Sequence, residues 1–243
     1  FCFLFVGMWM QGDLGHDRKN VALMIKTFFE TFKNQKIKPA LVLKTSTGVE
    51  NYMSRNEVLD KIKNIRETIG GDLPNVYLLQ GDFTNEDMNE LYNHPKIKAM
   101  ISFTKGEGFG RPLLEFCLSK KPVIASGWSG QMDFLNPQFV QMIPGKLENV
   151  HPSAANKWLL KEFQWFGIET RHAKRILKDV YKKYKKYSVA AKKQGHYIRT
   201  NFSREKMGEL VGKVLDANIP KFAQQVDLKL PEINANVKLP KIS

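Results

Sequence analysis

The feature that most constrains this sequence is the alternation of short apolar runs with amphipathic stretches over its first two-thirds. Each apolar run is too short to be a helix and is bounded by turn-forming or charged residues, which is typical of buried strands. The six predicted strands are Cys2–Val6, Ala40–Lys44, Val76–Leu79, Ala99–Phe103, Pro122–Ala125 and Phe139–Met142. Strands alternating with helices predict an α/β fold with a Rossmann-like, doubly wound parallel sheet. Such sheets bind ligands at the carboxyl ends of their strands.

Apolar residues at helical spacing predict helices between these strands, in Arg18–Lys33 and Arg55–Ile69. A short helix is expected to begin at Thr84, whose hydroxyl can cap it, with Asp87 at the acidic position of a capping box. Another is expected to begin near Pro112, because proline suits a first helical turn.

From Glu169 the pattern changes to one long predicted helix with an apolar and tyrosine stripe, followed by a helix over Arg204–Asp216 that Ser203 caps. The tail, 219–243, alternates apolar and polar residues and predicts an extended arm that is either laid on the domain or disordered. The domain prediction is therefore 1–218 for the folded unit and 219–243 for the tail. The long helix's stripe is Ile176, Leu177, Val180, Tyr181, Tyr184 and Tyr187.

The chain carries a formal net charge of +14, and many of its lysines crowd the long helix. This charge either serves an anionic partner, such as nucleic acid, a membrane surface or a phosphorylated ligand, or only solvates a helix face. Two cysteines, Cys2 and Cys117, make a disulfide framework improbable and favour a reducing compartment. No apolar run approaches the ~18 residues that span a membrane. The chain begins without Met inside a predicted strand, which indicates a fragment.

A glycine-rich loop joins a strand to the helix near Pro112. Its glycines, Gly106, Gly108 and Gly110, permit close backbone approach to a ligand. Free N–H groups at the helix start suit a phosphate or sugar oxygen. Glu107 and Glu115 are expected at the same mouth of the sheet, where two carboxylates suit a polyol. A glycine-rich turn, a proline and an early glutamate are also ordinary at the start of a helix. This motif alone therefore fits either a ligand site or a purely structural helix start.

The segment Glu107-Gly-Phe-Gly-Arg-Pro-Leu-Leu-Glu115, followed by Lys121-Pro-Val-Ile-Ala-Ser126, resembles the E-x7-E region of group 1 glycosyltransferases, retaining enzymes of GT-B architecture. Further likeness lies in Phe3–Gly7, Arg18–Phe28 and Val76–Gly81, and the resemblance covers roughly residues 1–217. It implies the C-terminal half of a GT-B fold with extra C-terminal helices, preceded in the full enzyme by an N-terminal acceptor domain that this chain lacks.

The resemblance also implies residue roles. Glu107, the implied catalytic residue, would contact the donor sugar, Glu115 would bind the ribose hydroxyls, and Lys19 would neutralise the diphosphate. The Gly81–Thr84 loop would frame the base. The implied donor-binding residues are Gly7, Arg18, Lys19, Gly81, Phe83, Thr84, Gly108, Phe109, Gly110, Arg111 and Glu115.

Two positions depart from the family pattern. Met8 stands where the family usually has an arginine, and Arg18 is hypothesised to replace the missing charge. Asn20 replaces the common glycine, which puts the local loop geometry in question.

The resulting expectation is a hexosyltransferase donor domain that binds a nucleoside-diphosphate sugar as substrate, with no cofactor and no metal. The acceptor is expected to be a glycan, a lipid or a protein. The expected location is cytoplasmic, with peripheral membrane association through the lysine-rich helix as an additional option, and no obligate nucleic acid. The chief alternative is a non-catalytic basic Rossmann-like module that binds nucleic acid or an anionic surface; a third is assembly through the tail.

Smaller features carry less information. The five histidines have no ligand spacing and are expected at the surface or in the core. Trp128 is expected either to pack near the donor or to plug its loop, whereas Trp158 and Trp165 are expected to pack helices.

Overall fold

The fold is described from a computed structural model, in which residues 1–220 are described. The predicted arm of 219–243 lies almost wholly outside them. The main strands are β1 (Cys2–Val6), β2 (Ala40–Lys44), β3 (Val76–Leu79), β4 (Ile97–Ser102), β5 (Val123–Ser126) and β6 (Gln141–Ile143). A second pair is β7 (Gly145–Asn149) and β8 (Gln164–Ile168). The helices are α1 (Val21–Phe32), α2 (Tyr52–Ile69), α3 (Asn85–Asn93), α4 (Arg111–Cys117), α5 (Thr170–Lys182), α6 (Tyr184–Asn201) and α7 (Arg204–Asn218).

The first six strands form one sheet in the order β3-β2-β1-β4-β5-β6, and every pair in it is parallel. This order reverses direction between β1 and β4, the point at which doubly wound sheets open a crevice. The predicted fold class is confirmed, and the predicted strands fall within two residues of the observed ones. The reason is that strands buried on both faces must be short continuous apolar runs.

Alternate residues of β1 face two separate cores. Phe3 and Phe5 pack against α1, α2 and α5 on one face of the sheet. Leu4 packs against α3, α4 and α6 on the other. The result is a three-layer domain in which the loops at the carboxyl edge of the sheet are left free to form a site.

The predicted helix starts at Thr84 and Ser203 are confirmed by their caps. The Thr84 side chain accepts from the Asp87 N–H while Asp87 bonds back, a complete capping box. Ser203 accepts from the Lys206 N–H at the start of α7. Asn20 precedes α1 with φ 57° and ψ 35°, a left-handed conformation that asparagine tolerates better than other residues with a Cβ. Asn20 therefore occupies a backbone conformation that glycine also adopts readily.

The helix predicted from Glu169 is two helices, because Lys183 leaves the helical conformation at φ −114° and ψ 35°. The break allows Tyr181 and Tyr184 to pack edge-on against the same ring, Phe1, with centroids 5.1 and 5.6 Å away. Periodicity could not reveal it, since the apolar stripe continues through the break.

The small antiparallel β7–β8 sheet was not predicted. Trp165, expected to pack a helix, lies in β8 and is buried at 4% exposure. Trp158, given the same expectation, lies in the loop between the strands and is 80% exposed. Both expectations were wrong because apolar residues in this segment have neither helical nor strict alternating spacing.

Candidate functional site

A cleft of about 790 Å³ opens at the carboxyl ends of β1, β2 and β3 and runs between α3 and α4. Five of the predicted donor-binding residues line it: Gly7, Gly81, Phe83, Arg111 and Glu115. Thr84 is not among the lining residues, and its hydroxyl caps α3. The cleft lies where the topology of the sheet places a ligand site.

Glu115 lies one turn into α4 and faces this cleft. The Tyr92 hydroxyl donates to Glu115 Oε2 at 3.2 Å, and Arg111 Nε lies 3.1 Å from Oε1. Burial and the Glu115 carboxylate raise the pKa of Tyr92, so its hydroxyl remains a donor at neutral pH. These two contacts orient the Glu115 carboxylate and leave it able to accept hydrogen bonds from a ligand.

The loop after β3 is held by two side chains that the sequence did not single out. Gly81, at φ 123°, donates its N–H to Glu50 Oε2 at 2.9 Å, and its carbonyl accepts from Lys44 Nζ at 2.6 Å. Lys44 Nζ also lies 4.7 Å from the centroid of the Phe83 ring. Lys44 and Glu50 both line the cleft, as does Arg199 of α6. No sequence motif marks them, because the fold brings them together from separate segments.

A second group of predicted residues gathers around Glu107 at the same edge of the sheet. Lys19 Nζ donates to Glu107 Oε1 at 2.5 Å, and Arg18 lies 3.6 Å from Oε2. Arg18 also donates to the Gly106 carbonyl at 2.6 Å. Burial lowers the pKa of Lys19, and the neighbouring Glu107 carboxylate opposes this shift. Glu107 does not line the α3–α4 cleft, so the two carboxylates share an edge of the sheet but not one crevice.

The start of α1 is occupied by the side chain of Asp17, which precedes the helix. Asp17 is fully buried and accepts from the Val21 N–H at 3.2 Å. Burial raises the pKa of Asp17, and hydrogen bonds from the backbone at the helix start counter that shift. An anion at this edge would therefore meet the side chains of Arg18 and Lys19 rather than the amides of α1.

The loop after β5 clamps the Glu107 loop. The Glu107 N–H donates to Ser129 Oγ at 2.8 Å, and the Gly130 N–H donates to the Glu107 carbonyl at 3.1 Å. Gly110 enters α4 at φ 91°, which explains the glycine there. Phe109 beside it is 42% exposed. Ser129 and Gly130 were missed as site residues, although the glycines that flank Trp128 were a usable signal.

The β7–β8 sheet is fastened to the same loop through Lys105. This lysine is buried at 2% exposure, pairs with Glu148 of β7 and lies 4.9 Å from the Trp165 ring centroid. Its carbonyl accepts from the Phe166 N–H at 3.0 Å. Trp128 stacks on Phe166 with the rings 7° from parallel. Trp128 thus packs against the hairpin within two residues of the contacts to Glu107.

Two of the scattered histidines meet. The rings of His16 and His151 stack with centroids 3.9 Å apart.

Within residues 1–220, no group of three or more His, Cys, Asp or Glu side chains is placed to hold a metal ion. In the same range, no helix is long and apolar enough to cross a bilayer. Both cysteines are free thiols.

No protein-family profile and no curated protein sequence matches the chain. Solved structures do match. Alr3699/HepE of Anabaena, in complex with UDP and glucose, is 15% identical over 88% of this chain and 48% of its own, with a TM-score of 0.57. Sucrose-phosphate synthase of Thermosynechococcus elongatus is 15% identical over 89% and 46%, with a TM-score of 0.60. The C-terminal domain of the group 1 glycosyl transferase LpcC from Francisella tularensis is 12% identical over 83% and 86%, with a TM-score of 0.56.

At these identities the likeness shows the fold. The chain spans about half the length of the first two proteins and most of the isolated C-terminal domain of the third. It therefore has the Rossmann-like fold of one half of GT-B glycosyltransferases, as the resemblance of the sequence implied.

Proposed function

We propose that this domain binds a nucleoside-diphosphate sugar and is the donor half of a retaining hexosyltransferase. The observation that carries the proposal is the presence, at one edge of the sheet, of both the Glu115 cleft and the cluster of Arg18, Lys19 and Glu107. The structural neighbours support it, since HepE was also solved in complex with UDP-glucose. The same proposal includes an N-terminal domain that binds the acceptor in the full enzyme.

In this proposal the nucleoside occupies the α3–α4 cleft. The base lies against the Gly81–Phe83 loop, and the Glu115 carboxylate accepts hydrogen bonds from the vicinal ribose hydroxyls. Arg111 and Tyr92 keep that carboxylate oriented before the ligand arrives. A group held in its binding geometry loses less entropy when the complex forms.

The diphosphate and sugar extend from the cleft toward Glu107, past the backbone of Gly108, Phe109 and Gly110. As the bond between the anomeric carbon and the diphosphate oxygen breaks, negative charge builds on the departing phosphate. Arg18 and Lys19 stabilise this charge. The acceptor hydroxyl oxygen bonds to the anomeric carbon on the same face of the sugar, and its proton passes to the departing phosphate oxygen. Lys19 then divides its hydrogen bonds between Glu107 and the phosphate.

The test is calorimetric titration with UDP-, GDP- and ADP-linked sugars. One of them should bind the native chain, and Glu115→Gln should weaken that binding roughly tenfold to a hundredfold, the cost of lost hydrogen bonds to a charged group. Glu67→Gln is the matched control, because Glu67 is an exposed carboxylate of α2 outside the cleft. A folded protein that binds none of these donors, or equal binding by Glu115→Gln, would contradict the proposal.

A second candidate function rests on the surface of α5 and α6. Asp179 is the only acidic residue between 170 and 201, and it pairs with Lys183. This face suits nucleic acid, and binding to duplex DNA that weakens steeply with salt, without any response to sugar nucleotides, would favour that function over the first. The exposed basic residues of the two helices are Arg171, Arg175, Lys178, Lys182, Lys185, Lys186, Lys192, Lys193 and Arg199.

A further inference from the structure

The segment between β7 and β8, residues 156–163, presents three large apolar side chains to solvent and is called here the 156–163 loop. Trp158 is 80% exposed, Phe163 51% and Leu160 44%. Isolated apolar residues at a surface are ordinary, but three within six positions concentrate exposed apolar side chains in one loop, as interaction sites do.

The conformation of the loop is fixed by its own hydrogen bonds. Asn156 Oδ1 accepts from the N–H groups of Trp158 at 2.9 Å and Leu159 at 3.1 Å, and the Asn156 N–H donates to the Leu159 carbonyl at 2.9 Å. Leu159 packs inward against Val150 and Trp165. The turn therefore packs the half-buried Leu159 inward and leaves Trp158 exposed.

Basic residues are interleaved with the exposed apolar ones. Lys157 and Lys161 both lie in the loop, and Lys157 Nζ is 5.0 Å from the Trp158 ring centroid. Lys146 of β7 is exposed on the same hairpin. The loop has one acidic residue, Glu162, next to Lys161. Segments that mix tryptophan, leucine and phenylalanine with lysine bind at the interface of anionic bilayers. The apolar side chains enter the headgroup layer, and the lysine ammonium groups contact lipid phosphates.

We propose that the 156–163 loop is a peripheral membrane-docking element for bilayers rich in anionic lipid. Trp158, Leu160 and Phe163 enter the headgroup region, and Lys157 and Lys161 contact lipid phosphates. The net charge of the chain, +14, draws it to such a surface. The proposal is independent of sugar-nucleotide binding.

Docking would also orient the proposed active site. The hairpin that carries the loop is joined to the segment leading to Glu107 by the Lys105–Glu148 ion pair and by the bond from the Phe166 N–H to the Lys105 carbonyl. A loop seated on a bilayer therefore holds the Glu107 edge of the sheet near the membrane surface.

The experiment uses sedimentation with vesicles of phosphatidylcholine, with or without about one-third phosphatidylglycerol, and tryptophan emission in Trp128→Phe protein. The remaining tryptophans besides Trp158 are Trp9 and Trp165, which are buried at 3% and 4% exposure. We expect binding to the anionic vesicles, a blue shift of the emission and quenching by brominated lipid. Trp158→Ala should weaken binding roughly tenfold, as expected for one large buried side chain.

Ile37→Ala is the matched control, because Ile37 is 73% exposed in a different loop. It should bind vesicles like the native chain. The proposal is overturned by absence of binding, which would leave a protein partner for the loop. It is equally overturned if the vesicles bind without a blue shift or with undiminished affinity in Trp158→Ala, since the lysine-rich helices would then be the contact.

Discussion

Gly130 shows how one residue without a side chain positions the proposed catalytic loop. A Cβ at this position would lie 2.0 Å from the Gly108 carbonyl oxygen and 2.9 Å from that of Glu107. The backbones of two loops therefore meet at van der Waals contact here. The position of Glu107 depends on that contact as well as on its own ion pairs.

We expect Gly130→Ala to destabilise the domain by about 1–3 kcal/mol, the usual cost of overpacking, and to weaken donor binding by moving the Glu107 loop. Thermal unfolding and donor titration would measure the two effects. Gly106→Ala is the control for the stability measurement, because a Cβ there meets nothing within 4 Å. Equal stability of the two variants would show that the loops do not pack as described.

At the scale of elements, the β7–β8 hairpin is held to the main domain by a buried charge. Lys105 is 2% exposed, whereas its partner Glu148 is 39% exposed at the hairpin surface. Burying an ammonium group is costly unless it is paired, so the hairpin supplies the carboxylate that makes Lys105 tolerable.

Removing that carboxylate should therefore cost more than an ordinary surface substitution. We expect Glu148→Ala to lower the free energy of unfolding by about 2 kcal/mol, less than for a fully buried pair because Glu148 is partly solvated. Lys105→Met in the same chain should restore most of the loss, since no unpaired charge remains. Urea unfolding of the single and double variants is the measurement, and a double variant no more stable than Glu148→Ala would refute the role of the buried charge.

The contact between the loop that carries Arg18 and Lys19 and the segment at His151 should respond to pH. Burial lowers the pKa of His16, and so do His151 and Lys105, against Glu148 and Asp13. The folded state thus favours neutral His16. Below about pH 6.5, the ordinary histidine pKa, the unfolded chain binds more protons than the folded one, and stability falls.

Urea unfolding between pH 8 and pH 5 would measure this loss. We expect His16→Phe to reduce the pH dependence, because it keeps a ring against His151 and removes the titration. His196→Phe, at an exposed position of α6, should leave the pH dependence closer to that of the native chain. Identical pH profiles for native and His16→Phe protein would show that the stacked pair does not contribute.

At the scale of the whole molecule, the +14 charge opposes compaction, because like charges repel across the surface. Much of this positive charge lies on α5 and α6, which contain one acidic residue and many basic ones. Salt screens exposed charges beyond about 10 Å at 0.1 M.

We expect the melting temperature to rise with ionic strength, by roughly 2–4 °C for each kcal/mol of repulsion relieved in a domain of this size. Replacing Lys182, Lys185 and Lys192 with glutamine should raise the melting temperature at low salt and change it little at 0.5 M. Calorimetric scans at several salt concentrations are the measurement. A melting temperature independent of salt would mean that the charge is locally compensated.

The sequence by itself determined the six-stranded parallel sheet and most of the helices around it. The apolar runs of β1 to β6 could be predicted within two residues because each is buried on both faces and must be continuous. Thr84 and Ser203 marked their helix starts because a cap is a local interaction. The spacing from Glu107 to Glu115 placed both at the carboxyl edge of the sheet, because the loop that carries Glu107 runs directly from β4 into α4.

Only the tertiary structure decided which of these residues meet. It separated Glu107, paired with Lys19, from Glu115 in its cleft, and it recruited Lys44 and Glu50 to Gly81 from segments that carry no motif. It also brought the β7–β8 hairpin into contact with Lys105 through Glu148 and Phe166. Contacts of this kind join residues distant in the chain, and their energies depend on burial and geometry that only the folded molecule provides.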